Sequence, residues 1–392
     1  MQSFRLLSAL SLAAVFSLAA CSGGTTAPAS TAPPPSSAAA KPAGSAAASP
    51  AASASAKPAA SAQAAGSAAA KAEAKPSVSA KPSLAPAAPG TILAAYSELT
   101  PINTPLWAAV DTGIFKKNGL NVDARLIESS LGVGALMSDE VKFAAMGGSE
   151  TLAATVEGAD LVVIAVLSPV YPYKLEVVSS IKTPQDLKGK KLGISRIGSS
   201  SDSATRAALK RFNLDPDKDV QLVQVGSLAT RMAALTSGAL DGAVAALPDT
   251  VDMEKQGNLH PLLDLAAEKL PAVNNTLVAR RAYINANKET TQKYVDSVVE
   301  GMARMKKDKG LMIELIKKYL KDRSGSDQAL DETFNFYANS VFRIPPAASP
   351  ELFADAMEQL AQKNPRAKQF DLNKLIDNSF VQDADKRGVG KS

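Results

Sequence analysis

The amino-acid sequence predicts an α/β fold divided into two lobes. Three observations carry this. From Thr91 onward, short apolar runs alternate with amphipathic helical stretches, the pattern of strands interleaved with helices. The pattern pauses at a short helix opened by Thr183-Pro184 and restarts at Lys191, as a second unit does. The stretch that carries it is about 300 residues long, enough to divide into two cores.

What precedes Thr91 is of another kind. The start, MQSFRLLSALSLAAVFSLAAC, has one positive charge (Arg5) and an apolar run from Leu6 to Ala20. That run falls short of the roughly 20 apolar residues of a spanning helix and reads as a targeting segment over residues 1–21. Leu18-Ala19-Ala20-Cys21 resembles a bacterial lipobox, in which Cys21 is diacylated. An ordinary signal peptide cut at a small-x-small site is the plainer reading. Cys21 is the only cysteine of the 392 residues, and a lone exposed thiol in an oxidising compartment is a liability that acylation removes. The expectation is a chain held by lipid in the periplasm or at the cell surface, anchored to a membrane rather than threaded through it.

Residues 22–90 are almost wholly Ala, Pro, Ser, Gly, Thr and Lys. Such a segment buries too little apolar surface to offset its ordering entropy, and Pro interrupts any Ala-driven helix. It is expected to be a disordered tether with a root-mean-square span of roughly 45 Å. The basic excess also belongs here. Of 43 basic and 38 acidic residues, Arg5, Lys41, Lys57, Lys71, Lys75, Lys81 and Glu73 precede residue 91, so the remainder carries 37 of each. A nucleic-acid face on the folded part is therefore not expected.

The elements follow in order. Thr91–Ser97 reads as a strand. Thr104-Pro105 opens a helix as N-cap and first residue, and Lys116-Lys117-Asn118-Gly119 closes it with a cationic last turn and a C′ glycine. Val122–Glu128, Lys142–Met146, Leu161–Leu167 and Lys174–Ser179 read as strands. After the helix ending at Gly189, Lys191–Ser195 is a strand, Asp202–Phe212 a helix, Val220–Val225 a strand, Leu228–Thr236 a helix and Ala243–Leu247 a strand. Leu277–Ile284 is a last strand. Helices are then expected at Lys288–Lys307, Leu311–Leu320, Gln328–Val341 and Pro350–Gln362.

Enzyme chemistry finds little support. There is one histidine, His260, before Pro261 in an apolar stretch, where a structural or surface role is the plainer reading. With one His and one Cys no His/Cys metal cluster can form. No G-x-S-x-G elbow and no G-x-x-x-x-G-K-[ST] loop occurs. Gly132-Val133-Gly134 lacks the third glycine of a dinucleotide fingerprint and reads as a helix-entry turn. Asp139-Glu140 reads as a solvated pair at a turn.

The positive signal lies in four loops at the C-terminal ends of predicted strands, where α/β sheets place ligands. The clearest is Gly198-Ser199-Ser200-Ser201-Asp202. A helix N-terminus offers unpaired N–H groups and partial positive charge, and small residues let an anion or strong acceptor approach. Plain capping competes with that reading; Asp202 is the candidate cap, with Ser199–Ser201 facing a cleft. The others are Met146-Gly147-Gly148-Ser149-Glu150, Ser97-Glu98-Leu99-Thr100 and Leu247-Pro248-Asp249. Four such loops in two sheets point to facing pocket walls.

With these loops in view, the chain resembles the NMT1/THI5-like solute-binding family, importer components for nitrate, taurine, alkanesulfonates and thiamine-precursor pyrimidines. The matching stretches are PLWAAVDTGIFKKNGLNVD, VEGADLVVIAVL, IKTPQDLKGKKLGISRIGSSSDSATRAAL, DKDVQLVQVGSLATRMAALTSGALDGAVAALP and NNTLVARRAYI, over about residues 91–345. The resemblance implies a type II periplasmic-binding-protein fold, with residues 91–180 and 275–392 as lobe 1, 181–274 as lobe 2, and hinge closure around the ligand. By position it implies ligand contacts from Ser97, Thr100, Gly148, Ser149, Glu150, Gly198, Ser199, Ser200, Ser201, Pro248 and Asp249. It adds Tyr171 and Tyr173, which either stack on a flat ligand or pack the hinge.

Two places depart from the family pattern. A Leu-x-x-Gly-Glu/Asp-x-Asp-like turn reads here Leu136-Met137-Ser138-Asp139-Glu140-Val141-Lys142, which puts its geometry in question. Glu150, if inward, disfavours nitrate and sulfonate; the favoured reading turns it outward, as an acid complementing a helix dipole. No Arg clamp is evident, and Arg196 is open in direction. The implied function is reversible binding of a sulfonate, nitrate, aromatic acid or pyrimidine-like solute by a monomer without cofactor or chemistry, for delivery to an ABC permease and its ATPase. The rivals are a sensor module of the same fold and a pyrimidine-synthase-like enzyme using PLP and a histidine.

Overall fold

The computed structural model describes residues 87–391, so the apolar leader, Cys21 and the tether as far as residue 86 lie outside the described residues. The apolar runs form ten strands in two five-stranded sheets. In the first, β1 (Ile92–Tyr96), β2 (Val122–Leu126), β3 (Phe143–Met146), β4 (Leu161–Val170) and β10 (Pro271–Arg280) lie in the order β2-β1-β3-β10-β4. In the second, β5 (Lys174–Val178), β6 (Lys191–Ile194), β7 (Gln221–Gln224), β8 (Gly242–Ala245) and β9 (Leu259–Asp264) lie in the order β7-β6-β8-β5-β9.

Each sheet joins a parallel half to one inserted antiparallel strand. β1 runs parallel to β2 and β3, and β10 runs antiparallel to β3 and β4. Likewise β6 runs parallel to β7 and β8, and β5 antiparallel to β8 and β9. The inserted strands β10 and β5 are those the chain enters on crossing between lobes. Tyr171–Tyr173 lead from β4 to β5, and residues 265–270 lead from β9 to β10. The crossings therefore fall earlier than the boundaries near 180 and 275 drawn from the sequence: β5 belongs to the second sheet and all of β10 to the first.

Lobe 1 buries both faces of its sheet. On one side lie α1 (Thr104–Asp111), α2 (Ile114–Lys117), α9 (Lys288–Lys307) and α10 (Lys309–Leu320), around Leu106, Trp107, Phe115, Tyr294 and Met302. On the other lie α3 (Ser129–Met137), α4 (Gly148–Val156) and α12 (Ala354–Lys363), around Leu136, Leu152 and Phe353. All ten residues of β4 are consequently buried, which is why its first seven, Leu161–Leu167, read as an unbroken apolar run. Phe143 stacks on Tyr294 with ring centroids 3.9 Å apart, and Trp107 on Tyr319 at 4.1 Å. Helices α1 and α9 meet at Gly301, where a Cβ would lie 2.3 Å from the Pro105 carbonyl oxygen. The outer edge of β4 is covered by returning chain: Val163 N–H donates to the Leu375 carbonyl at 2.8 Å and Val166 N–H to that of Pro346 at 2.8 Å. Helices α8 (Arg281–Ala286), α11 (Asp327–Phe336) and α13 (Ser379–Lys386) complete the lobe, and α5 (Ser200–Arg211), α6 (Leu228–Thr236) and α7 (Val251–Lys255) belong to lobe 2. No helix among the described residues is long and apolar enough to cross a membrane.

Several elements differ from expectation. The helix expected from Thr104 to Lys117 is broken at Gly113 (φ 75°), and Asn103, not Thr104, caps it. The helix expected from Asp202 begins at Ser200. The strand expected at Leu277–Ile284 spans Pro271–Arg280, and its last residues form α8 instead. Polar Asn274, Asn275 and Thr276 hid its first half. β9 went unread because His260 and Pro261 interrupt its apolar pattern. Gly132-Val133-Gly134 lies inside α3 rather than at a helix entry. The turn that departs from the family pattern forms all the same, with Asp139 at φ 64°. Asp is among the few side chains that tolerate the left-handed region.

Candidate functional site

The parallel strands of both sheets end at the same gap, and the helices that follow start there. The gap is a cavity of about 370 Å³. Lobe 1 lines it with the loop after β1 (Ser97 to Thr100), the entrance of α3 (Glu128, Ser129) and the entrance of α4 (Gly147, Glu150). Lobe 2 lines it with the loop after β6 (Ser195, Arg196), the first turn of α5 (Ser200, Ser201) and the first turn of α6 (Gly226 to Ala229, and Arg231). Tyr173 from the first crossover, Asn274 from β10 and Arg323 beyond α10 close the remaining sides.

Six of the residues singled out in the sequence line this cavity: Ser97, Thr100, Glu150, Tyr173, Ser200 and Ser201. Seven do not. Ser199 is the N-cap of α5: its hydroxyl accepts from Asp202 N–H at 3.2 Å and donates to the Arg196 carbonyl at 2.7 Å, which holds it 2% exposed. Asp202, expected as the cap, instead accepts from the Gly198 N–H at 2.7 Å and from Arg206 Nε at 2.8 Å, so Gly198 is tied to the capping loop. Gly148 packs on β10, where a Cβ would lie 2.5 Å from the Val273 carbonyl oxygen. Ser149 reaches across to lobe 2, 3.2 Å from Ser203 Oγ. Tyr171 is buried in the lobe 2 core. Asp249, beside Pro248, pairs bidentately with Arg323 at 2.8 and 2.7 Å, and so presents the arginine to the wall in its own place.

Glu150 faces inward, opposite to the favoured sequence reading. It is 9% exposed, its Oε1 lies 3.7 Å from Arg196 Nη2, and its Oε2 accepts from Ser200 Oγ at 3.4 Å. Burial raises its carboxyl above the usual range, opposed by the Arg196 charge and by donors from Ser200. Gly147 makes room for it: a Cβ there would lie 2.0 Å from Oε2. Ser200 Oγ also lies 3.1 Å from the Asn274 carbonyl, so its single proton is shared between the Glu150 carboxylate and the crossing strand.

Several lining residues were not singled out in the sequence, among them Glu128, Ser129, Gly226, Ser227, Arg231, Asn274 and Arg323. Arg231 is 3% exposed; its Nη1 donates to the Gly226 carbonyl at 2.8 Å and its Nε has no partner. Burial pulls its guanidinium below the usual range, opposed by Tyr173 and Glu98. Asn274 is 2% exposed and its side chain lies beside the Tyr173 hydroxyl. Arg323 is positioned by Asp249. A signal for Arg231 existed: it lies four residues after Ser227, the cap of α6, and so stands over the entrance of that helix, at the end of a strand already drawn. Nothing comparable marked Asn274 or Arg323, which reach the cavity from distant parts of the chain. Glu98, named only as part of its loop, is pushed up by burial, with Arg231 opposing and Glu150 adding to the shift.

The arrangement is one of donors, acceptors and charges facing inward from two bodies. Among the described residues, no group of three or more His, Cys, Asp or Glu could hold a metal ion. His260 sits in β9 opposite Val177 and is not in the cavity lining.

Two mixed sheets of this topology, joined by two crossings and closing on a shared cavity, define the type II periplasmic-binding-protein fold. The NMT1/THI5 like family pattern matches residues 100–309, more than half of the chain, and the chain belongs to that family. It is 26% identical over 203 residues to YtlA of Bacillus subtilis (strain 168), a protein provisionally named as a binding protein; the match covers 50% of this chain and 60% of that relative. In structure it is similar to the periplasmic aliphatic sulphonate binding protein SsuA from Escherichia coli (TM-score 0.60, 22% identity, 74% of this chain and 92% of that one). It is also similar to the alkanesulfonate-binding protein SsuA from Xanthomonas axonopodis pv. citri bound to MOPS (TM-score 0.59, 18% identity, 76% and 99%).

Proposed function

We propose that this chain is an extracytoplasmic solute-binding protein that captures a small organic solute between its lobes and delivers it to an ABC permease with its ATPase. The observation that carries this reading is the cavity itself, walled by helix entrances from both lobes and spanned by Ser200 and Glu150. A cavity of about 370 Å³ is within the range of small-molecule sites. It is many times the size of an inorganic anion such as nitrate, so an organic solute fits the space better, and because Arg196 lies 3.7 Å from the inward Glu150 and offsets its charge, a sulfonate, an acid or a pyrimidine-like solute stays within the class. The sulfonate-binding relatives in structure support the same class.

Lipid attachment at Cys21, and with it a membrane-bound monomer on a long tether, belongs to the same proposal. Its support is the apolar leader ending in Leu-Ala-Ala-Cys. Calorimetry against sulfonates, aromatic acids and pyrimidines tests the capture. A saturable heat accompanied by a smaller radius of gyration in X-ray scattering is the expected result, and an intact fold that binds none of them counts against it. Growth on the bound solute should fail when the chain or its partner permease is deleted. Incorporation of a labelled fatty acid, lost in Cys21→Ala, tests the anchor.

A further inference from the structure

The two lobes repeat one helix, and only one copy leaves its outer face apolar. α3 and α6 each start at the cavity, run nine residues and end in the same left-handed turn, at Asp139 and Gly238. Aligned on that turn, α6 exposes Thr230, Ala233 and Thr236 where α3 exposes Leu131, Gly134 and Met137. This spacing puts each set on one stripe of its helix. Leu131 is 39% and Met137 38% exposed, and α3 holds no charged residue from Ser129 to Met137. Among the described residues four large apolar side chains are exposed. Leu131 and Met137 are two of them, and Leu126, at the end of β2 just before α3, is a third. A single exposed apolar side chain is ordinary. Three on one helix and its approach mark a face that another surface covers.

The chain itself supplies a cover. Ala87, the first described residue, packs on the same core as Ala135 and Leu136 of the inner face of α3. It precedes β1, whose first residue lies at the sheet end away from the cavity, and α3 runs from the cavity toward that end. Between residues 22 and 90 the only large apolar residues are Val78 and Leu84. Leu84 stands three residues before Ala87, so the chain holds it within about 10 Å. Leu131 and Met137 are six residues apart, about 9 Å along the helix. Val78 and Leu84 are also six residues apart, a length of chain that covers that distance with slack. We infer that residues 78–84 run back along α3, with Leu84 on Met137 and Val78 on Leu131. Gly134, where a Cβ would meet nothing within 4 Å, leaves the stripe low enough for the passing backbone. The tether then departs from lobe 1 beside the cavity and not at its far end. This goes beyond solute capture and does not depend on it.

The test is peroxide oxidation of the full chain, read site by site by mass spectrometry, because exposed methionine becomes sulfoxide faster than covered methionine. Met137 should oxidise about fivefold faster in Val78→Ser/Leu84→Ser than in the parent, with the half-buried Met253 and Met357 unchanged as controls. The reverse experiment changes the helix. Leu131→Thr/Met137→Thr gives α3 the residues that α6 carries at these positions, so the fold should be kept and circular dichroism should match the parent. Elastase should then cut between Val78 and Leu84 about fivefold faster, with cleavage before residue 76 unchanged. Equal Met137 rates in the parent and Val78→Ser/Leu84→Ser overturn the assignment. So does protection of Met137 that rises with protein concentration, which marks a second copy, or that comes only with lipid vesicles, which marks a membrane surface.

Discussion

The two lobes repeat one stretch of backbone and attach opposite charge to it. In lobe 1, α3 ends at Met137, Asp139 stands at φ 64°, and Glu140 and Val141 both donate to the Ala135 carbonyl, at 2.9 and 3.2 Å, before β3 begins. In lobe 2, α6 ends at Thr236, Gly238 stands at φ 73°, and Ala239 and Leu240 both donate to the Ala234 carbonyl, at 2.9 and 3.2 Å, before β8. At their other ends these same helices face the cavity, and there they diverge. Apart from Arg323, which Asp249 of lobe 2 holds, the lobe 1 wall carries Glu98, Glu128 and Glu150, and the lobe 2 wall carries Arg196 and Arg231. The C-terminal ends of the helices hold the fold and the N-terminal ends hold the recognition, so one can change without the other.

Giving the two walls the same sign breaks the comparison most severely. Glu150→Arg places a second cation against Arg196 and at the positive end of α5. Like charges brought together across a closing surface cost several kcal/mol. The lobes should stay apart, solute affinity should fall by about 100-fold, close to 3 kcal/mol, and the radius of gyration should no longer shrink on adding solute. Circular dichroism should be unchanged, because Glu150 contributes to the wall and not to either core.

A second contrast lies within the sheets. The buried polar groups of the lobe 1 sheet are neutral, Ser168 on β4 and Asn274, Asn275 and Thr276 on β10, whereas β5 in lobe 2 buries a carboxyl, Glu176, beside Glu254. Burial, with the nearby charge of Glu254 adding and Lys174 opposing, raises its carboxyl to about 8. The folded state thus holds a proton that the unfolded chain releases near pH 4.5. Stability contributed at low pH is lost as pH rises from about 4.5 to 8, at about 1.4 kcal/mol per unit, and falls no further above that. Glu176→Gln should flatten this slope, so its stability relative to the parent should be about 2–4 kcal/mol better at pH 8 than at pH 5 in urea unfolding. An unchanged slope would mean that the carboxyl finds a partner. In lobe 1 the weak point is steric instead. Gly301→Ala drives a methyl against the Pro105 carbonyl and should cost about 1–3 kcal/mol, read as a lower melting temperature.

The division between helix ends also decides what was legible in the sequence. The alternation of apolar runs and caps marked most strands and helices along the chain, though not β9 or the order of strands in the sheets, because backbone hydrogen bonding and burial write period and punctuation into the chain. Ser97, Thr100, Glu150, Ser200 and Ser201 were legible as cavity residues because they sit just beyond strands. Ser199 was misjudged because a capping serine and a ligand-facing serine look alike one position apart. The inward turn of Glu150 was not legible: it depends on Arg196 and Ser200, which only the closing of lobe 2 brings near. Arg323 and Asn274 reach the wall from chain far outside the strand-end loops, and no local pattern announces that.

The smallest expected effect concerns the repeated turn, and it shows how sequence context sets the worth of a glycine. Asp139→Gly relieves a left-handed side chain but gives glycine its larger unfolded-state entropy, a loss of about 0.5–1 kcal/mol. It also removes the ion pairs with Lys142, 2.5 Å away, and Arg280, 3.8 Å away, both partly exposed and together worth about 0–1 kcal/mol. Gain and loss nearly cancel, so stability should move by no more than about 0.5 kcal/mol. The reverse change in lobe 2 is not its mirror image. Three residues after Gly238 stands Asp241, where lobe 1 has Lys142. Gly238→Asp therefore meets a like charge as well as the left-handed backbone, and should cost about 1 kcal/mol or more, while Gly238→Asn should cost a few tenths less. Parallel urea titrations of the three variants check the order. Equal costs for Asp and Asn at 238 would show that the backbone alone, and not the residue three places on, decides which side chain the turn accepts.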